Sequence, residues 1–381
     1  LVKEFECRKS ASAYARSTTS RTGVLDCAKL HTYKYNEDLF KKVSVIPDGK
    51  NHGLIFILDW SGSMCDVLMD TVKQLYNLIW FCKKCSIPFE VYAFTSDFPK
   101  VKYYLNEDGE RRATYPKDMY KKRDGVMQVY ETFSLMNMFS SKSKIKDLEY
   151  QMKTIYRIAE GFNRSYYTFY PIPTGLTLSG TPLNDTLICM HEIIPQFKRN
   201  NHVEKVQCVI LTDGEAPPLK YHKTVQRHWE NEPYLGVRQV STNCILRDRK
   251  LGTTYLLDGQ WYQMTDSLLT HLKDKFTDTN FIGIRVLEGR DAHSFIARYY
   301  GRWNDDHDRI HAQWRKERSF TITNSGYHSY FAMSATSLAQ DNTFEVKEDA
   351  TKSQIKSAFV KSLRTKKMNK RVLNEFISLV A

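Results

Sequence analysis

Short apolar runs alternate with stretches of helical spacing through the middle of the chain. Leu54-Ile55-Phe56-Ile57-Leu58 is apolar at every position, Val206–Leu211 nearly so, and Phe281–Leu287 resembles them. A run without polar alternation suits a strand buried on both faces of a parallel sheet. Phe89–Phe94, after Pro88, reads as a further strand. Between these runs the period changes. Val67, Leu68, Val72, Leu75, Tyr76, Ile79 and Trp80 recur at helical spacing within 65–84, and Leu183, Leu187, Met190 and Ile194 share one face of 182–197. Lys142–Ala159 and Asp266–Phe276 carry the same period. Strands that alternate with helices predict an α/β fold with a mainly parallel, doubly wound sheet flanked by helices.

The remaining segments decorate that pattern. Residues 1–50 are polar, with Ser10–Thr22 rich in Ser, Thr, Ala and Arg, and read as an N-terminal arm. Two insertions are expected in a core of 51–290, near 100–170 and 217–262. The first holds a hairpin around the turn Asn106–Glu110. The second holds a protruding basic hairpin around Arg247–Gly252, between Gln239–Leu246 and Thr253–Leu257. Phe281–Leu287 is expected to be the last core strand. Residues 291–381 read as a C-terminal helical extension that ends in helices over 351–363 and 366–381.

Composition narrows the class. The chain has 381 residues with 41% hydrophobic, enough for a large core. No apolar run approaches the ~20 residues of a membrane span. Eight scattered cysteines without regular spacing suit reduced thiols and a cytoplasmic setting. The net charge of +13 points to acidic partners or a nucleic-acid-rich environment.

Candidate chemistry gathers where strands end. Asp59-Trp60-Ser61-Gly62-Ser63-Met64 follows the first apolar run; Thr181 lies in Ser179-Gly180-Thr181-Pro182-Leu183; Asp213 lies in Leu211-Thr212-Asp213-Gly214. Carboxylates and neutral hydroxyls on tight turns are ligands for a hard divalent cation. In an open parallel sheet such ends share one edge, where ligands bind. The competing reading is helix capping by Asp59 and the serines, but capping accounts for one residue and not for five in three segments. Asp66 and Asp185, close by, read as solvated helix starts.

These motifs resemble von Willebrand factor A domains, whose Asp-x-Ser-x-Ser, Gly-Thr-Pro-Leu and Leu-Thr-Asp-Gly segments build a metal-ion-dependent adhesion site. The resemblance spans about residues 51 to 290. It implies a Rossmann-like fold and a Mg2+ ion (or Mn2+ or Ca2+) held by Asp59, Ser61, Ser63, Thr181 and Asp213. It also implies a partner that offers an Asp or Glu to the metal. Met64 and the Gly-Thr-Pro-Leu form resemble the intracellular branch, which works with MoxR-type AAA+ ATPases. The general character is similar to cobaltochelatase CobT-like proteins, including those of tailed phages. The implied role is a non-catalytic adaptor for a MoxR- or CobS-like AAA+ ATPase or its client. A chelatase subunit and a structural part of a phage particle stand as alternatives.

Other motifs carry less. Cys82-Lys83-Lys84-Cys85 lacks the second pair that a zinc site needs. His307-Asp308-Arg309-Ile310-His311 has Asp where a zincin needs Glu, and Asp305 and Asp306 suggest a polar loop. No P-loop is present, so any ATPase is another chain. Lys121-Lys122-Arg123 and the basic tail (Lys361, Arg364, Lys366, Lys367, Lys370, Arg371), with Tyr166-Tyr167 to stack bases, keep nucleic acid open as a second kind of partner.

Overall fold

Period-two alternation inside the apolar runs sets the layers. The structure, a computed structural model, describes residues 18–25, 27, 29, 32, 34, 40–45, 52–97, 102–114, 121–128, 132–162, 172–213, 216–226, 228, 229, 231–241, 244–257, 261–287, 291–302, 304–322 and 325–334. β1 (Thr18–Leu25) and β2 (Phe40–Val45) pair with each other as an antiparallel ribbon. Then come β3 (His52–Asp59), a 3-10 turn (Gly62–Asp66), α1 (Leu68–Lys84) and β4 (Phe89–Thr95). The first insertion holds the hairpin β5 (Lys102–Leu105) and β6 (Arg111–Thr114), then β7 (Met127–Gln128). β8 (Ser134–Ser140) and α2 (Ile145–Gly161) belong to the core and not to the insertion expected near 100–170, and α3 (Leu183–Asn201) and β9 (Lys205–Thr212) continue it. The second insertion contributes β10 (Lys220–Val225), β11 (Tyr234–Gln239), β12 (Ile245–Asp248) and β13 (Thr253–Leu256). α4 (Trp261–Lys275), β14 (Thr279–Leu287), α5 (Asp291–Tyr300), α6 (Asp305–Glu317), β15 (Ser319–Ile322) and β16 (Ser329–Ser334) complete the described fold.

Seven strands form the main sheet in the order β15-β16-β14-β9-β3-β4-β8. β4, β3, β9, β14 and β16 run parallel, and β8 and β15 are antiparallel edges. The chain leaves β3 towards β4 on one side and later places β9 on the other. The topological switch point therefore lies between β3 and β9, with Asp59 and Thr212 at the strand ends.

Helices cover both faces. Leu54, Phe56 and Leu58 pack with α1 (Leu68, Val72, Leu75, Ile79) and α2 (Leu148, Met152, Ile155). Ile55 and Ile57 face the other way, with α3 (Leu187, Met190, Ile194), α4 (Leu268, Leu269, Leu272), α5 (Phe295, Ile296) and α6 (Ile310, Trp314). Each fully buried side chain of this kind contributes about 1.5–3 kcal/mol of transfer free energy, so the sandwiched sheet holds the site rigidly.

The structure corrects the sequence reading in several places. Phe281–Leu287 is not the last core strand: β16 pairs parallel with β14, and β15 pairs with β16. Residues 291–334 thus return two strands to the sheet and are not wholly helical. Asp305 and Asp306 open α6, capped by the Asn304 side chain accepting from Asp306 N, where a polar loop was expected. Asp185 is buried rather than solvated, while Asp66 is exposed. Gln239 and Leu246 belong to different hairpins, β10–β11 and β12–β13. Cys7, Tyr166, Tyr167 and the helices expected over 351–363 and 366–381, with their basic side chains, lie outside the described residues. Among the described residues no helix is long and apolar enough to cross a membrane.

Candidate metal centre

β3 delivers Asp59 to the rim. Its last residues pair with β4, and the Trp60 amide continues the ladder to the Phe94 carbonyl at 3.0 Å. Trp60 is fully buried, and its indole N–H donates to the Leu176 carbonyl at 2.8 Å. The chain then turns at Gly62, whose amide donates to the Ser179 carbonyl at 2.8 Å. Ser61 and Ser179 also form a parallel bridge. The Ser-Gly-Ser turn and the Thr181 loop are thereby docked on each other by their backbones.

The loop is anchored by residues that the sequence patterns did not single out. Asp97 Oδ2 accepts from the amides of Gly175 at 2.9 Å and Thr177 at 3.1 Å, and from the Thr177 hydroxyl. Ser96 Oγ accepts from the Gly180 amide at 2.7 Å and donates to Ser179 Oγ at 2.9 Å. A Cβ on Gly180 would lie 2.8 Å from Ser96 Oγ, so a larger residue there would push that hydroxyl out of its bond to the Gly180 amide. The signal was available: Ser96-Asp97 follows a buried strand just as Asp59-Trp60-Ser61 does.

Four of the five expected residues join one polar cluster. Ser61 Oγ and Ser63 Oγ are 3.1 Å apart, and Ser63 Oγ donates to Asp213 Oδ1 at 2.9 Å. The Thr212 hydroxyl donates to Asp59 Oδ2 at 2.6 Å. Thr181 is half-buried and reaches the cluster through its loop backbone; no hydrogen bond links its hydroxyl to the other four. Thr212 is the member that sequence reasoning missed, although it stands beside Asp213. Neither serine is spent on capping: Ser61, at the start of the 3-10 turn, makes no side-chain cap bond, and the residue before α1 is Val67.

Asp59 is the unusual group. It is fully buried, and its Oδ1 takes no hydrogen bond. Burial pushes its carboxyl up to about 7, with the Asp213 carboxylate adding to the rise; the Thr212 and Ser61 hydroxyls and the Arg285 guanidinium draw it part of the way back. An unpartnered oxygen on a buried acid costs about 1–3 kcal/mol or more. A cation satisfies that oxygen and lowers the cost of ionisation. The available donors are all oxygen, which selects hard cations such as Mg2+, Mn2+ or Ca2+ over zinc. Among the described residues no group of three or more His, Cys, Asp or Glu side chains converges as a metal site. Cys82 is buried and Cys85 half-buried, and neither is in a disulfide.

No family model matches the chain, and no curated protein matches it. Solved structures that resemble it include pilus adhesins. SpaC from Lactobacillus rhamnosus GG in its open conformation has a TM-score of 0.34 and 11% identity, over 83% of this chain and 30% of that chain. Another form of SpaC gives 0.28 and 12%, over 71% and 30%. RrgA from Streptococcus pneumoniae gives 0.28 and 10%, over 80% and 54%. The chain thus spans about a third to a half of those adhesins.

Proposed function

We propose that the chain is a metal-dependent protein-interaction module of the von Willebrand factor A type. The observation that carries this reading is the buried, unpartnered Oδ1 of Asp59, set at the switch point beside the Ser61–Ser63–Asp213 chain of hydrogen bonds. Asp59, Ser61, Ser63, Thr181 and Asp213 would hold a Mg2+ ion. When bound, the ion supplies a Lewis-acidic position that a partner's carboxylate can occupy.

The chain's own residues set the terms of that contact. Asp59 is kept buried by Trp60 and the sheet, so it serves the ion and is out of a partner's reach. Ser63 lies exposed at the surface and marks where a partner approaches. The hydroxyls add no charge, which leaves the ion attractive to an incoming anion. The partner class that follows from the sequence resemblance is a MoxR- or CobS-like AAA+ ATPase or its client, with this chain as a non-catalytic adaptor.

A pull-down from the native cell extract, with Mg2+ or with EDTA and read by mass spectrometry, tests the reading. Wild type should retain an ATPase or its client only with Mg2+, and Asp59→Ala should lose it while keeping the wild-type circular dichroism spectrum. Capture of the same partner with EDTA, or by Asp59→Ala, would refute it.

A further inference from the structure

The second insertion carries a surface that the metal reading does not use. β10 pairs antiparallel with β11 on one side and with β7 on the other, forming a three-stranded sheet separate from the core sheet. Its register sets Tyr221 opposite Arg238, Lys223 opposite Gly236 and Val225 opposite Tyr234. Alternate residues of a strand share a face, so Tyr221, Lys223, Tyr234 and Arg238 stand together. Lys223 and Arg238 are exposed, and Tyr234 is 37% exposed. The Tyr234 ring lies against Gly236, where an added Cβ would be 3.3 Å from it. Towards the tip, Trp229 is 75% exposed.

A basic triplet borders the same ribbon. Lys121, Lys122 and Arg123 are all exposed. The residues after them are fixed to β10: Asp124 Oδ1 accepts from the Thr224 amide at 2.5 Å, and the Gly125 amide donates to the His222 carbonyl at 2.8 Å. The His222 amide donates to the Val126 carbonyl at 2.8 Å. Among the described residues of these segments, the cations are Lys121, Lys122, Arg123, Lys220, Lys223 and Arg238, against Asp124 and Glu232. The cations outnumber the acids, so the local field is positive.

We infer that this ribbon binds single-stranded nucleic acid. The cations would contact phosphates, and the Trp229 and Tyr234 rings would stack on unpaired bases. An acidic protein segment needs the charges alone; exposed aromatics placed among them suit bases, each of which has a flat face to stack. Duplex DNA hides those faces. The inference is independent of the metal centre, because none of its residues is a metal-site residue.

The test is fluorescence anisotropy of the full chain with a labelled oligo-dT of about 20 nucleotides, titrated at several salt concentrations. The logarithm of affinity should fall linearly with that of salt. Replacing Lys121, Lys122 and Arg123 together by Ala should flatten the slope by about 2, at about 0.7 per phosphate contact. Trp229→Ala and Tyr234→Ala should each weaken binding by about tenfold while leaving the slope unchanged, the pattern expected when a stacked base is lost. All of these side chains are exposed, so the variants should keep wild-type melting temperatures. EDTA and Asp59→Ala should change nothing.

Absence of saturable binding would overturn the inference. So would binding that survives all the ribbon substitutions, which would place the contact elsewhere on the chain. Equal affinity for a duplex of the same length would overturn it too, as would displacement of the oligonucleotide by polyglutamate at equal charge concentration.

Discussion

Two aspartates, Asp59 fully buried at the end of β3 and Asp266 half-buried on α4, have different fates. Asp266, on α4, accepts the Gly326 amide at 2.8 Å just before β16. Its carboxyl is pushed up to about 6 by burial, with the Gly326 amide and Lys273 pulling down. The fold explains it: the acid fastens the turn that returns the chain to the sheet. Asp59 is buried more deeply and raised further, yet one of its oxygens has no partner, and its neighbours are hydroxyls and a second carboxylate. Both acids cost stability to ionise, and each accepts one bond from a distant segment, Asp266 from the Gly326 amide and Asp59 from the Thr212 hydroxyl, but Asp59 also carries a buried oxygen with no hydrogen bond. The metal role proposed for Asp59 rests on that contrast.

The largest effect is expected at the structural acid. A Cβ on Gly326 would lie 2.5 Å from the Asp266 carbonyl oxygen and 2.6 Å from its Cα, both backbone atoms that cannot rotate away. Gly326→Ala should therefore destabilise the chain by about 3 kcal/mol or more in urea unfolding. A loss under about 1 kcal/mol would mean that this turn is not fastened as described.

Next comes pH. Asp266 has a folded value of about 6 against 3.8 unfolded, so the folded state holds its proton longer. Its contribution is fully present below the unfolded value and is lost as pH rises through the folded one, by up to about 3 kcal/mol. Stability of wild type minus that of Asp266→Asn, followed by urea midpoints between those two values, should fall as pH rises. A flat difference would show that Asp266 is not buried as an acid. A smaller effect is expected at Asp59. Without divalent cations at alkaline pH, Asp59→Asn should be at least as stable as wild type, by about 1–2 kcal/mol, because it removes a buried charge. A clearly destabilised Asn variant would make Asp59 structural, like Asp266, and erase the contrast.

Much of this arrangement was legible in the sequence because burial on two faces leaves a plain signature. The runs at Leu54–Leu58, Val206–Leu211 and Phe281–Leu287 became central strands, and Asp59, Ser61, Ser63 and Asp213 meet because their strands do. Edges were harder to read. β8 carries Asn137 and two serines within Ser134–Ser140 and has only one fully buried position, Phe139, so its pattern is weak. β15 and β16 lie beyond α5 and α6, past the strand Phe281–Leu287 that was expected to close the core. α3 continues through Pro195 to Asn201, held by the buried Ile194 and Phe197 on either side of a residue that would ordinarily end it. Thr212 and Asp97 were missed because their roles depend on partners far along the chain: Thr212 serves Asp59, and Asp97 the loop of Gly175 and Thr177. No local spacing records such pairings.

Calorimetric titration of Mg2+ into the isolated chain tests the central claim most directly, alongside Asp59→Ala and Ser63→Ala. Wild type should take up the ion saturably, and both variants should lose that uptake while keeping a cooperative unfolding transition. Wild type that takes up no Mg2+ at millimolar concentration, or variants that bind it as well as wild type does, would contradict the account.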